Sequence, residues 1–294
     1  MTDAAHDTHR PAGDGSAGPP GEDPLPRRVP VFAVVGLALL MFSLDGTSVA
    51  TALTTISGDL GADLAWTGWV VTVAAVGQIL ALPLGGWLSD RFGGRRMFLA
   101  GVAVFTVMSG LSALSPSIGV LIACRLVQGL AGGVMLPAAN GIVAHQFGRD
   151  RDRALALFTS VFPIGAILGP LVGGLVLTTW TWHGIFLVNV PIGILLVAVG
   201  LALVDDPPHR RTARIDAVGI ALLVVTLLAT MLTITRLGSP GSGPGWTALA
   251  GVVALAGPRL LIGAGAGCLE VLRGQLPGRR VLGAHDLVNG AHIC

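Results

Sequence analysis

Lysine and tyrosine are absent from this 294-residue chain, and all 18 of its basic residues are Arg. With abundant Ala, Gly and Val, that bias reflects GC-rich coding and says nothing of function. Charge as a whole is scarce. Charged residues make up 12% of the chain and hydrophobic ones 52%, against roughly 25% charged in a soluble domain. A water-facing surface needs more charge than this to stay dissolved, so an ordinary soluble protein is excluded and lipid is the main solvent. Cysteine is scarce too. Cys124, Cys268 and Cys294 show neither metal-ligand spacing nor a pattern of pairs, which excludes zinc, haem and iron–sulfur centres. Cys124 reads as a small buried thiol in an apolar helix. There is no Walker loop, so ATP hydrolysis is not the driving force, and no Ser-His-Asp arrangement, so no enzyme is indicated. The basic segments are short and explained by topology, which leaves no nucleic-acid surface. Residues 1–29 lack the apolar core of a secretory signal and are expected to form a disordered cytoplasmic tail; His6 and His9 within it are too loosely spaced for a metal site.

What the chain does contain is long apolar runs. A helix needs about 20 apolar residues to cross the hydrocarbon. Such runs fall near 30–52, 66–88, 97–115, 118–142, 154–177, 185–204 and 215–236, with a doubtful eighth from Trp246 that Pro258 and Arg259 interrupt. They are continuous and show no strand-like alternation, so helices are expected and not a barrel. Arginines recur on alternate loops: Arg27 and Arg28, then Arg91, Arg95 and Arg96, then Arg149, Arg151 and Arg153, then Arg210, Arg211 and Arg214. The intervening loops carry almost none. By the positive-inside rule the N-terminus and the Arg-rich loops face the cytoplasm, giving a multi-pass protein of the cytoplasmic membrane.

Four segments bear chemistry. The first is the charged hairpin Gly86-Trp87-Leu88-Ser89-Asp90-Arg91-Phe92-Gly93-Gly94-Arg95-Arg96, in which Gly93-Gly94 permits a tight reversal. A plain positive-inside turn explains its arginines but demands neither Asp90 nor Gly86. The second is Asp45, well inside the first run, where a carboxylate costs about 2.5–3.5 kcal/mol on insertion scales. It either caps a helix broken at Gly46-Thr47 or takes up protons, since burial disfavours its charged form. The third is Arg125-Leu126-Val127-Gln128-Gly129. Arg125 either snorkels to the interface or, two turns into its helix, faces Asp45 and modulates it, with Gln128 beside it. The fourth is Gly165-Ala166-Ile167-Leu168-Gly169-Pro170-Leu171-Val172-Gly173-Gly174. Small-residue packing accounts for Gly165 and Gly169, and Pro170 adds a kink.

These segments together resemble the major facilitator superfamily, and within it the EmrB/QacA-type, fourteen-span drug:proton antiporters. The hairpin matches the superfamily signature at Gly86, Leu88, Asp90, Arg91, Gly93, Arg95 and Arg96, and departs from it at Gly94. The resemblance implies a conformational latch there, with Asp90 engaging helix ends in one state and a partner in the C-terminal half. Leu44-Asp45-Gly46-Thr47 and the residues after it are similar to the first-helix antiporter motif, with Thr51 and Thr54 where Asn and Pro are usual. Arg125 to Gly133 resembles the fourth-helix motif. The run from Gly165 through Gly169, Pro170, Gly173 and Gly174 resembles the antiporter motif that uptake porters lack, which implies export and a seal against proton leakage. Trp182-His183-Gly184-Ile185-Phe186 followed by Asn189-Val190-Pro191-Ile192-Gly193 resembles the drug-export entry, with Thr181 in place of Arg; Trp180 and Trp182 otherwise read as interface anchors.

The resulting expectation is an all-α integral membrane protein. It comprises the tail 1–29, a six-helix N-terminal bundle of two inverted three-helix repeats over 30–204, a linker 205–214, one or two further spans over 215–263, and an atypical tail 264–294 with the look of a frameshift. The expected function is proton-coupled efflux of hydrophobic or cationic small molecules. No cofactor is expected beyond the proton gradient. Partners are lipid, a small-molecule substrate, and either a missing C-terminal half or a second copy. An inert fragment or helper subunit and an uptake porter are the alternatives.

Overall fold

In the computed structural model the described residues are 27–205, with Val225, Thr226, Ala229 and Val252. Apart from those four residues the seventh and eighth runs lie outside them, as do residues 1–26 and the C-terminal tail. Helix α1 covers Arg28–Thr51, α2 Leu53–Asp59, α3 Leu64–Phe92, α4 Gly94–Ala113, α5 Ile118–Phe147, α6 Arg151–Thr179, α7 His183–Leu187 and α8 Asn189–Leu203. No strand occurs among the described residues. Five stretches are long and apolar enough to cross a membrane, and the one of 62 residues holds both α5 and α6. The first six apolar runs are therefore helices where the sequence places them.

Two of the helices outrun their apolar cores because glycine, and not polarity, ends them. Gly93 (φ 100°) stops α3 and Gly148 (φ 50°) stops α5, both in backbone conformations that side chains with a Cβ resist. The hairpin reversal needs Gly93 alone; Gly94 is already the first residue of α4. The sixth run is divided at Val188 between α7 and α8 in its hydrogen bonding alone: Val188 keeps helical angles (φ −60°, ψ −33°), but Pro191 has no N–H to give the Leu187 carbonyl. The expected first run likewise continues past a break at Ala52 into the short α2.

Helix α1 packs on α6 and α8, α5 on α3 and α4, and α4 on α8. Without a water-driven hydrophobic effect between helices, close backbone approach supplies the attraction, and small residues permit it. Two apolar clusters result. One, toward the Arg-rich end, joins Val35, Phe42, Phe98, Phe105, Met135 and Leu196 with their neighbours. The other, toward the opposite end, joins Val49, Ile56, Val70, Leu121, Trp182 and Phe186. Cys124 is buried, as expected. The outer faces are greasy: Ile167 is 75% and Leu171 71% exposed on α6. Such surface is stable against acyl chains and not against water.

Trp182 departs from the expected interface anchor. It is 1% exposed, and its indole N–H donates to Asp59 Oδ2 at 2.8 Å. The His183 ring stacks on it at 3.8 Å. Trp180, by contrast, is exposed.

Candidate functional site

A polar layer lies between the two apolar clusters. On α1 it is Asp45, between Phe42 and Val49; on α5, Arg125 and Gln128, between Leu121 and Ala131. On α4 it is Ser109 and Ser112, between Phe105 and Ala113; on the last segment, Asn189, between Phe186 and Leu196. All six side chains are buried.

The layer is organised around one ion pair. Arg125 Nη1 donates to Asp45 Oδ2, and each side chain is 2% exposed. The same Nη1 donates to Gln128 Oε1 at 3.2 Å, and Nε donates to the Val70 carbonyl at 3.2 Å. The guanidinium carbon lies 5.8 Å from the Phe186 ring centre, a cation–π distance. Arg125 therefore does not snorkel, and the interface reading is corrected by its burial. The capping reading of Asp45 also falls, because α1 runs unbroken from Arg28 to Thr51. Thr47 Oγ1 bonds back to the Ser43 carbonyl at 3.0 Å, inside the helix. Gln128 is oriented by its partners: its Oε1 also accepts from Ser112 Oγ at 3.4 Å. The three expected coupling residues, Asp45, Arg125 and Gln128, thus meet.

Three members of the layer carried no expected coupling role: the sequence did not single out Ser109 and Ser112, and Asn189 entered only as part of the drug-export resemblance. Asn189 Nδ2 donates to Asp45 Oδ1 at 2.8 Å and reaches Ser109 Oγ at 3.1 Å. Ser109 Oγ donates to the Phe186 carbonyl at 3.0 Å. The available signal was polarity inside apolar runs, which Ser109, Ser112 and Asn189 share with Asp45.

A cavity of about 190 Å³ opens on the pair from the side of α3 and α6, lined by Phe42, Val71, Ala74, Phe105 and Phe162 as well as by the ion pair and Gln128. A smaller one of about 40 Å³ reaches Asp45 from the side of Val172, Ile185 and Asn189.

The glycines of the antiporter run seat α6 on α1 around Asp45. A Cβ at Gly165 would lie 2.6 Å from Ser43 Cβ, one at Gly169 1.8 Å from Thr47 Oγ1, and one at Gly173 2.5 Å from Thr51 Oγ1. Ser43 Oγ donates to the Phe162 carbonyl at 2.6 Å and Ser48 Oγ to the Gly169 carbonyl at 2.8 Å, tying the helices across this seam. Gly174 is not part of it, with nothing within 4 Å of its Cβ position. Pro170 lies on the exposed side.

The charged hairpin does not form a compact cluster. Asp90 and Arg96 are exposed, and among the described residues Asp90 has no ion-pair partner. Arg91 lies over Trp87 and Phe92 at 5.5 and 5.7 Å. Arg95 Nη2 donates to the Leu201 carbonyl in the last turn of α8. The close approach on this helix is made by Gly85 and not by Gly86: a Cβ at Gly85 would lie 2.7 Å from Val134 Cα, and Gly86 has nothing within 4 Å.

Comparison with known proteins agrees with this architecture. A family model described as Major Facilitator Superfamily matches residues 35–271. The multidrug export protein EmrB of Escherichia coli (strain K12) is 34% identical over 204 residues, covering 69% of this chain and 40% of EmrB. A probable actinorhodin transporter of Streptomyces coelicolor is 31% identical over 259 residues, 86% of this chain and 44% of the relative. The tetracenomycin C resistance and export protein of Streptomyces glaucescens is 34% identical over 196 residues, 66% and 36% respectively. The chain thus spans less than half the length of these curated relatives. Among solved structures, the peptide transporter POT in complex with sulfate superposes with a TM-score of 0.58 at 18% identity, over 78% of this chain and 51% of that one. The human organic anion transporter MFSD10 superposes at 0.53 and 19% identity, over 77% and 60%. These two likenesses concern the fold. A polar layer inside a greasy helical bundle, with sequence kinship to multidrug and antibiotic exporters, makes this an integral membrane protein, and the chain belongs to the major facilitator superfamily.

Proposed function

We propose that the chain serves proton-coupled efflux of hydrophobic or cationic small molecules across the cytoplasmic membrane, with the Arg-rich end inside. The observation that carries this reading is the Asp45–Arg125 pair, fully buried and adjoining an aromatic-lined cavity. An ionised pair is held out of water only where its partners are well placed, and removing one partner leaves a costly lone charge. Proton uptake by Asp45 would uncouple it from Arg125 and let the helices that carry them part. EmrB and the tetracenomycin C protein are named for export, which supports the outward direction. A drug-sized pocket has about 300–1,000 Å³, so the cavity of about 190 Å³ is one wall's share and a C-terminal bundle or a second copy supplies the rest. No cofactor is invoked; the proton gradient drives transport.

The test is reconstitution into vesicles with an imposed proton gradient, with the chain alone and with a C-terminal half supplied separately. The reading expects gradient-dependent accumulation of a lipophilic cation such as ethidium in inverted vesicles, lost in Asp45→Asn. Unchanged accumulation in Asp45→Asn refutes the assignment. The length relative to the relatives favours a second reading, a fragment or helper that transports nothing alone, and the single-chain arm decides it.

A further inference from the structure

Asp45 has two partners of different chemical kinds. Arg125, on Oδ2, carries donors only and keeps its charge. It cannot accept a hydrogen bond from a protonated carboxyl. Asn189, on Oδ1, has a donor and an acceptor on one amide and can exchange them by turning over. Of the two oxygens, Oδ1 is therefore the one that can carry a proton without losing its partner. The consequence propagates. Nδ2 now also donates to Ser109 Oγ, whose hydroxyl donates to the Phe186 carbonyl in α7. With the amide reversed, Asn189 Oδ1 faces both the new carboxyl O–H and Ser109, and Ser109 must turn its hydrogen from Phe186 to Asn189. The α7–α8 junction, already lacking the hydrogen bond that the N–H of residue 191 would give were it not Pro, then loses a cross-helix bond.

We propose that Asn189 is the positioning residue for the Asp45 carboxylate and couples its protonation, through Ser109, to the α7–α8 junction. The inference rests on the reading of Asp45 as the proton-taking group. In the step itself a lone pair of Oδ1 takes a proton from solvent, and no bond between heavy atoms changes. Among the described residues Arg125 of α5 is the one charged group in contact with Asp45, and Cys124 adjoins it in sequence. The other charged and titratable side chains of α1 and the surrounding helices, Arg28, Asp59, Asp90, Arg91, Arg95, Arg96, His145, Arg151, Asp152, Arg153 and His183, lie toward helix ends and not in this layer.

The test is an infrared pH titration of the full chain in lipid nanodiscs, following the carboxylic C=O band that Asp45→Asn removes. A hydrogen bond to an ionised group is stronger than one to its neutral form. Asn189→Ala is therefore expected to raise the midpoint by about one pH unit, a roughly tenfold gain in proton affinity. Asn189→Ser, which keeps a hydroxyl that donates or accepts, should return it part of the way. Ser109→Ala, which leaves both Asp45 partners in place, should shift it in the same direction by less, and serves if Asn189→Ala does not fold. A merely structural role for Asn189 would not move this midpoint. If the band titrates in the wild type but its midpoint is unchanged in Asn189→Ala and Ser109→Ala, the proposal falls and the proton-coupling reading stands. If no Asp45 band appears at any pH, the coupling reading falls and the proposal with it.

Discussion

Replacing Gly169 by Ala probes the seam that frames Asp45. The added methyl carbon would sit 1.8 Å from Thr47 Oγ1, 2.8 Å from Thr47 Cβ and 3.1 Å from the Leu44 carbonyl oxygen. Rotating the Thr47 side chain removes the first clash but not the second, because Cβ does not move with χ1. Carbon atoms pack at about 3.5 Å or more, so α1 and α6 must part locally by about 0.7 Å. Overpacking of this kind costs about 1–3 kcal/mol. Separation also weakens the Ser48 hydrogen bond to the Gly169 carbonyl, worth about 0.6 kcal/mol on average between membrane helices. The better helix propensity of Ala offsets about 1 kcal/mol, leaving a net loss of about 0.6–2.6 kcal/mol. Gly174 is the internal control, since its Cβ position is empty to 4 Å. Gly174→Ala meets no clash and should be neutral or stabilising by up to about 1 kcal/mol. The two variants, five residues apart in one helix, should therefore differ by about 0.6–3.6 kcal/mol in reversible SDS unfolding in mixed micelles, read by circular dichroism. Thr47→Ala should rescue Gly169→Ala in part, because it removes the atom at 1.8 Å and leaves the one at 2.8 Å. If the two glycine variants agree within about 0.5 kcal/mol, the scatter of surface substitutions, the seam is not where the geometry puts it.

Three other outcomes follow from named contacts. Arg125→Met alone leaves Asp45 buried without its cation and should destabilise by about 3–5 kcal/mol, whereas Arg125→Met with Asp45→Asn should cost much less than the sum of the singles; additivity in the same unfolding assay would show that the two side chains do not interact. Arg95→Ala removes the donor on the Leu201 carbonyl and should raise hydrogen exchange over the last turn of α8 without affecting α1, as read by mass spectrometry; unchanged exchange would dismiss the cap. Trp182→Phe keeps the buried ring but deletes the donor to Asp59, and should cost about 0.5–1.5 kcal/mol, the net worth of one hydrogen bond, since Asp59 is exposed and water takes the donor's place; Trp180→Phe on the exposed side should cost little.

The sequence revealed the rods better than their ends or their seams. Apolar length marks a membrane helix, so the first six runs appear where expected. Their ends are set by backbone conformation at Gly93 and Gly148, which hydropathy does not report. The short helices α2 and α7 escaped for the same reason, since a break at Ala52 or Val188 leaves the apolar run intact. Among glycines, spacing alone does not tell which face meets a neighbour. Gly165, Gly169 and Gly173 lie four apart on one face and all contact α1, but Gly174 and Gly86 belong to faces that meet nothing among the described residues. Gly85, one residue from a motif position, and Gly77 are the glycines of α3 that α5 requires. Asp45 and Arg125 stood out because a charge in hydrocarbon demands a reason. Asn189, Ser109 and Ser112 did not, because a neutral polar group is tolerated in a helix for many reasons.

The internal repeat explains why the acid and the base meet. The two three-helix units place α1 and α5 as first members, α3 and α6 as second members, and α4 and α7–α8 as third members. The contact of α1 with α6 is then the counterpart of the contact of α5 with α3. Both are glycine seams. On α5, a Cβ at Gly129 would lie 2.1 Å from the Ala74 carbonyl oxygen, and one at Gly133 2.3 Å from that of Gln78. Each first helix is thus clamped by the second helix of the other unit. Between the two clamps the first helices face each other with Asp45 on one and Arg125 on the other. A charge change at this pair acts where the two units are joined by an ion pair, with glycine seams on either side. Small-residue seams hold through shape and have no long side chains to reorganise. Movement should accordingly begin at the polar layer, parting the α1–α6 pair from the α3–α5 pair and leaving each glycine seam intact. Spin labels across the Gly169 seam should keep their distance on acidification while labels across the Asp45–Arg125 contact move apart, and the reverse ordering would contradict this division of labour.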